Sequence, residues 1–302
     1  MKQNKHLIVL IGPTASGKTS VAIHLASQLG TEIASCDSRQ FYKEMSIGTA
    51  MPSAEELAQV PHHFIAYRSV EDFLSAGQFA REFESFTNNW FQTEDYLVLT
   101  GGSMLYEKAA TDGLDEFPQV PENVRNTLIE IQRTLGISAL QEELLSKDPE
   151  YFAEVDTDNP QRLIRALEII RHTGEKYSQL RKNTTQEKPY NIIRIGIETS
   201  REELYERINT RVDQMMQQGL VEEAKALLPY KNLPALQTVG YKELFQYLDG
   251  TINLETAISE IKKNSRRYAK RQLTWYRKDE RIKWFSRDDT ANMLAYILAN
   301  SQ

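Results

Sequence analysis

Gly12-Pro13-Thr14-Ala15-Ser16-Gly17-Lys18-Thr19 is a complete G-x-x-x-x-G-K-T phosphate loop set directly after the apolar run at 7–11. Glycines let a backbone fold round an anion with successive N–H groups turned inward, and the helix that follows adds its positive end. Lys18 supplies a point cation for phosphoryl oxygens, and the Thr19 hydroxyl a ligand for a magnesium ion shared with them. Ala22, Leu25, Ala26 and Leu29 then recur at helical spacing, so the loop joins a buried strand to an amphipathic helix. A polyphosphate or pyrophosphate ligand is expected, without saying which.

Working outward, the apolar runs 7–11, 32–36 and 96–100 read as parallel strands. Each ends in something chemical: the phosphate loop, Asp37, and Gly101-Gly102-Ser103. In doubly wound sheets ligands lie at the carboxyl ends of the strands. Phe79, Phe83, Phe86 and Trp90 mark a crossover helix by their spacing and read as core, while 192–198 and 282–285 resume the sheet. The predicted fold class is α/β: a P-loop NTPase-like parallel sheet flanked by helices, built from 1–116 and 190–302, with an all-helical insertion domain at 117–189.

The insertion is dense in helix signals. Pro121 opens a helix with Val124, Leu128, Ile131 and Leu135 at core spacing, and Ser138 with Gln141 makes a capping-box pattern for the next. Asn159-Pro160 starts a third that Gly174 can close, with Leu163, Ala166, Leu167 and Ile170 as its apolar stripe. Arg162, Arg165 and His172 fall on another face. After the insertion, Ser200 and Glu203 form another capping pattern, and Leu204, Ile208, Val212 and Met215 the stripe of the helix that follows.

A chain of 302 residues with 40% hydrophobic and 26% charged residues can bury one good core and a second, smaller unit. It carries no secretory pattern and no run of membrane-spanning length, so no membrane partner is expected. The lone Cys36 fits a reducing cytoplasm and reads as a small buried hydrophobe, and His62-His63 without a Cys-x-x-Cys is no zinc signature. Net charge is −6, yet residues 262–283 hold ten Lys or Arg against two acids, a local +8 that leaves −14 elsewhere. Charge gathered in this way is expected of an electrostatic footprint for a polyanion, with a solvated helix face as the alternative. The helix carrying it should turn Leu254, Ile258, Ile261, Tyr268 and Trp275 inward.

Arg207 and Arg211, at i and i+4, flank the 204–215 stripe and suit a clamp on anionic oxygens, with a pair of surface arginines lying over the core as the alternative. Nucleotide hydrolases commonly end a strand in a magnesium-holding Asp, but 96–100 ends in Thr-Gly-Gly-Ser, which lowers the odds of an ATPase or GTPase. The best-placed carboxylate is Asp37, on the strand expected beside the phosphate loop. It suits a general base accepting a proton from a nucleophile, with a turn cap or a metal ligand as the alternatives.

The phosphate loop, Asp-Ser-Arg-Gln-Phe-Tyr (37–42), Ile-Gly-Thr-Ala (47–50), Pro-His-His (61–63), Gly-Gly-Ser-Met-Leu-Tyr (101–106), Asn-Pro-Gln-Arg-Leu-Ile-Arg-Ala-Leu-Glu (159–168) and Ala-Lys-Arg-Gln-Leu-Thr-Trp-Tyr-Arg (269–277) occur in order along nearly the whole chain. Together this set resembles the bacterial tRNA dimethylallyltransferases. The resemblance implies transfer of a dimethylallyl group from dimethylallyl diphosphate to N6 of the adenosine 3′-adjacent to the anticodon, by a monomer using Mg2+. It puts a prenyl diphosphate, not ATP, in the loop, held by Gly12, Pro13, Thr14, Ala15, Ser16, Gly17, Lys18 and Thr19 with Arg207 and Arg211. Asp37 is implied as the base, with Lys18, Thr19 and Arg211 acting on the leaving group and Thr19 on the metal. Contacts to the anticodon stem-loop are implied for Asp37, Ser38, Arg39, Gln40, Gly101 and Ser103. The same holds for Gln161, Arg162, Leu163, Ile164 and Arg165, and for Lys270, Arg271, Gln272, Trp275 and Arg277.

Ser103 stands where the family usually has Thr, Tyr276 where it has Phe, and Ala66 where an Asp commonly follows the two histidines. The competing readings are an adenylate dimethylallyltransferase acting on a free nucleotide, an ATP-dependent small-molecule kinase, and an RNA-binding module whose phosphate site only switches conformation. A free nucleotide needs neither the helical insertion nor the basic C-terminal helix.

Overall fold

A computed structural model describes residues 4–115, 117–182 and 185–301. The chain divides into two compact units, one from Met1–Asp112 with Glu187–Gln302 and one from Gly113–Gln186. The first is built on six parallel strands: β1 (His6–Ile11), β2 (Ile33–Ser35), β3 (His62–His63), β4 (Tyr96–Thr100), β5 (Asn191–Glu198) and β6 (Lys283–Ser286), in the order β3-β2-β4-β1-β5-β6. Every residue of β1 is buried, as a central parallel strand covered on both faces must be. Its alternate side chains feed two cores. Leu7, Val9 and Ile11 meet Phe79 and Phe83 of the helix Ala76–Trp90 on one face; Ile8 and Leu10 meet Val21, Ala22, Leu25 and Ala26 of the helix Lys18–Leu29 on the other.

Two expectations fail here. The strand ending at Asp37 does not lie beside β1, because β4 pairs with both β1 and β2 and separates them. In the helix Leu254–Tyr276, Trp275 points outward at 40% exposure. The buried stripe instead runs through Ala257, Ile261, Ala269, Gln272 and Tyr276, one residue round from the tryptophan, while Leu254, Ile258 and Tyr268 are half-buried.

The second unit is wholly helical among its described residues: Glu122–Leu135, Ile137–Lys147, Pro149–Glu154, Pro160–Thr173 and Tyr177–Leu180. Asn159 caps the fourth of these by accepting from the Gln161 and Arg162 N–H groups, and Gly174, with φ 77°, ends it. Leu128, Leu140, Leu144, Leu163, Ile164 and Leu167 form the core, so Leu163 and Ile164 are unavailable as RNA contacts. Leu135, expected inward, is 68% exposed at the end of its helix. The Ser138–Gln141 capping box does not form. The helix starts at Ile137 with Gly136 at its cap position, and the Gln141 amide donates to the Thr157 carbonyl instead.

Candidate active site

The phosphate loop turns on Ala15, at φ 63°, and Gly17, at φ 89°, and this left-handed backbone converges N–H groups into an anion nest. Lys18 reaches back along the loop, its Nζ donating to the Gly12 and Pro13 carbonyls at 3.0 and 2.8 Å. Burial, reinforced by the nearby Arg211, pushes the Lys18 pKa down to about 8. Ser16 Oγ is buried without a hydrogen-bond partner.

Asp37 follows β2, and Gly101-Gly102 follows β4, so neighbouring strands bring the two together. Its Oδ1 accepts from the Arg39 N–H at 3.0 Å and its Oδ2 from the Gly102 N–H at 3.1 Å, which fixes the orientation of the carboxylate. The approach leaves no room for side chains. A Cβ on Gly102 would lie 2.7 Å from Asp37 Oδ2, and one on Gly101 2.6 Å from the Asp37 backbone nitrogen.

The helix Arg201–Gln217, capped by Ser200, buries Leu204, Ile208 and Val212, while Met215 and Arg211 face the site. Burial, and then Arg207, hold the Arg211 guanidinium below its ordinary value. Arg207 pairs with Glu203 at 3.4 Å and lies against Gly17, where a Cβ would come within 3.0 Å of its Nη2. Arg287, which sequence reasoning missed, packs at the same glycine, its Cδ 2.7 Å from that Cβ position. It follows β6 in a stretch with no motif to flag it.

These elements enclose two adjoining cavities. The smaller, of about 80 Å³, is lined by Thr14, Lys18, Thr19, Asp37, His62, Arg211 and Gln272 among others. The larger, of about 320 Å³, has an apolar wall of Met104, Leu105, Ile208, Val212, Met215, Leu220, Val239 and Ile261. Thr14, Asp37, Thr49, Ala50, Arg211 and Tyr268 line both. The turn at 46–48, which leads into Thr49 and Ala50 of the shared wall, is held by Glu223, also missed from sequence. One of its oxygens accepts from the Ser46 N–H and hydroxyl and the Ile47 N–H at 2.8–3.0 Å, the other from the Gly48 N–H at 2.9 Å and the Tyr241 hydroxyl at 2.7 Å. One of two adjacent glutamates in a helical run, Glu222 and Glu223, gives no sequence signal for such a role.

Several residues expected at an RNA surface are committed inside the first unit. Gln40 donates to the Thr49 and Ala50 carbonyls, Arg39 to those of Pro234 and Ala235, and the Ser38 and Ser103 hydroxyls bond each other at 2.8 Å. Gln272 is fully buried. The basic helix is also partly neutralised: Lys262 pairs with Asp213, Lys263 with Glu260, and Arg281 with Asp112 and Asp279. Lys270, Arg271, Trp275, Arg277 and Lys278 remain exposed, Arg271 lying over the Tyr268 ring. In the helical unit Arg162 is exposed, Gln161 accepts from Arg125, and Arg165 pairs with Glu168 at 2.6 Å beneath the Phe117 ring.

Among the described residues no three His, Cys, Asp or Glu gather in a metal-binding group. The donors at the small cavity are instead the Thr19 hydroxyl and the Asp37 carboxylate, hard oxygens that suit magnesium when a ligand's phosphates and water complete its shell. Among the described residues no helix is long and apolar enough to cross a membrane.

A protein-family model described as IPP transferase matches residues 40–279. The tRNA dimethylallyltransferase of Christiangramia forsetii is 50% identical over 97% of this chain and 98% of its own length, and tRNA dimethylallyltransferase 1 of Bacteroides fragilis 45% identical over 98% of each. Among solved structures, the full-length tRNA isopentenylpyrophosphate transferase of Bacillus halodurans superposes with TM-score 0.73 at 36% identity, covering 99% of this chain and 97% of that one. A eukaryotic dimethylallyltransferase acting on tRNA shares the fold, with TM-score 0.77 at 23% identity over 98% of this chain and 79% of its own.

Proposed function

We propose that this chain, which belongs to the IPP transferase family, prenylates adenosine in tRNA. The group transferred is dimethylallyl, taken from dimethylallyl diphosphate and placed on N6 of the adenosine 3′-adjacent to the anticodon. One observation carries the reading: a phosphate loop in a small polar cavity opens into a larger apolar one, with Asp37 and Arg211 on their common wall. A diphosphate bearing a short hydrocarbon has that division of chemistry; a nucleoside triphosphate does not.

The loop from Gly12 to Thr19 binds the diphosphate through its N–H nest, and the Thr19 hydroxyl adds a polar contact. Lys18 and Arg211, with Arg207 at the mouth, stabilise the charge that grows on the leaving group as the allylic C–O bond breaks. Magnesium, when bound beside Thr19, supplies further neutralisation of that diphosphate. Asp37, fixed by two backbone N–H groups, accepts the N6 proton at its free lone pairs. Adenine N6 is a weak nucleophile, so alignment contributes more than base strength. The reacting base must leave its stack, which a loop nucleotide does more readily than a paired one.

Lys270, Arg271, Trp275 and Arg277 on one unit and Arg162 with Arg165 on the other form the surfaces for the anticodon stem-loop. The chain is read as acting as a monomer, and the buried free thiol of Cys36 suits the cytoplasm. The test is mass spectrometry of nucleosides from unmodified tRNA incubated with protein, magnesium and either dimethylallyl diphosphate or ATP. Dimethylallyl adenosine formed only with the prenyl donor is expected; phosphate released from ATP without a prenylated product would overturn the reading.

A further inference from the structure

We propose that Gln272 is a positioning residue for prenyl transfer, a bridge that fixes the phosphate loop relative to Asp37, and that it makes no contact with tRNA. This rests on the prenyltransferase reading above. Gln272 sits on the helix Leu254–Tyr276 within the basic stretch, yet its neighbours Lys270 and Arg271 are exposed while it is fully buried. Both ends of its amide are used. Oε1 accepts from the Thr14 N–H at 2.8 Å, and Nε2 donates to the Gly102 carbonyl at 2.7 Å.

The Gly102 peptide carries the link onward. Its carbonyl also accepts from the Tyr268 hydroxyl at 2.7 Å, one helical turn before Gln272, and its N–H donates to Asp37 Oδ2 at 3.1 Å. No slack exists at this point, since a Cβ on Gly102 would stand 2.7 Å from Asp37 Oδ2 and 3.3 Å from Gln272 Nε2. Thr14 lines both cavities, so one side chain joins the residue at the diphosphate to the peptide that orients the base. Transfer needs the allylic carbon and N6 in line between these two points, and a misplacement of about 1 Å costs on the order of a hundredfold in rate.

The experiment compares Gln272→Leu and Gln272→Glu with the intact protein, measuring tRNA affinity without donor, kcat, KM for dimethylallyl diphosphate, and thermal unfolding. The leucine removes both hydrogen bonds. Expected are tRNA affinity within about twofold and kcat lower by about ten- to a hundredfold, the range for leaving buried partners unsatisfied. The glutamate keeps the acceptor for Thr14 but opposes the Gly102 carbonyl until it is protonated. Its kcat relative to wild type should therefore rise as pH falls from about 8 to about 6, a buried carboxyl titrating above its ordinary range, while the leucine ratio stays flat.

Should Gln272→Leu fail to fold, Tyr268→Phe decides: removing only the hydroxyl on the same carbonyl should lower kcat at unchanged tRNA affinity. A leucine variant that weakens tRNA binding more than tenfold with kcat intact at saturating tRNA would make Gln272 an RNA contact. Unchanged kcat in Gln272→Leu, or in Tyr268→Phe if that variant must decide, would also overturn the bridge. Absence of prenylated adenosine with the wild-type protein would instead remove the function on which the bridge rests.

Discussion

Replacing Glu223 by Ala removes one carboxylate and five hydrogen bonds from the wall of the substrate cavities. Ser46 is exposed, so water can satisfy its amide and hydroxyl once the carboxylate has gone. The Ile47 and Gly48 amides are half-buried and Tyr241 is fully buried, and these three donors lose a partner that water replaces poorly. At about 1–3 kcal/mol for each buried donor left unsatisfied, and with partial hydration of the two amides, the loss of folding stability should be about 3–5 kcal/mol. That is a large share of the roughly 5–15 kcal/mol that holds a folded domain together. Urea unfolding at fixed pH reads the stability directly. Since Gly48, Thr49 and Ala50 line the larger cavity, KM for dimethylallyl diphosphate should also rise by several-fold, and Tyr241→Phe should reproduce a fraction of both effects. A loss below about 1 kcal/mol with KM unchanged would refute the reasoning, because the wall would then hold its shape without Glu223.

Asp37→Ala should lower prenyl transfer by about 100- to 10,000-fold, the usual contribution of a positioned base, with tRNA affinity within a few-fold in a binding assay; undiminished transfer would remove it as the base. If Lys270, Arg271, Arg277 and Lys278 each meet a phosphate, log affinity for tRNA against log salt should fall with a slope of about −3, and a flat response would return them to ordinary solvated residues. Glu107 is buried, and burial, only partly opposed by Arg194, raises its pKa to about 7. The folded state therefore holds this proton between about pH 4.5 and 7 where the unfolded chain has released it, so its contribution is full below the unfolded pKa and lost as pH rises through 7. Glu107→Gln should remove that slope from stability measured across pH 5 to 8, raising stability at the upper end by about 2–3 kcal/mol; an unchanged slope would contradict the buried titration.

Much of the fold was legible because its signals are local. The phosphate loop needs fixed glycines and a lysine at fixed spacing, and β1, β4 and β5 are buried on both faces, so each reads as an apolar run. The order of strands was not legible, since β4 slips between β1 and β2 through pairing that no spacing records. The two-residue strand at His62–His63 is too short to show alternation. In the site, Asp37 announced itself at a strand end, but Glu223 and Arg287 act on backbone distant in sequence, and nothing local distinguishes them from surface charges. Side-chain direction was the other blind spot. Leu163 and Ile164 lie between Arg162 and Arg165 and point into the core, and Gln272 lies among arginines and lysines and is buried too.

The charges of the small cavity show why burial there serves the reaction. Lys18 and Arg211 are half-buried near one another at the small cavity, two cations facing one bound ligand. Asp37 is the nearby carboxylate, a single negative charge acting on both cations while its two oxygens also accept from the Arg39 and Gly102 N–H groups. Burial lowers both basic pKa values, helped by Arg211 at Lys18 and by Arg207 at Arg211, so the protein alone carries a desolvation penalty at these two groups that Asp37 only partly offsets. A diphosphate relieves part of it on binding. More is relieved as the allylic bond breaks, because the departing diphosphate gains negative charge beside the same two cations. An interaction that strengthens between ground state and transition state raises kcat as well as affinity, which an exposed pair of lysines, already solvated by water, would not do.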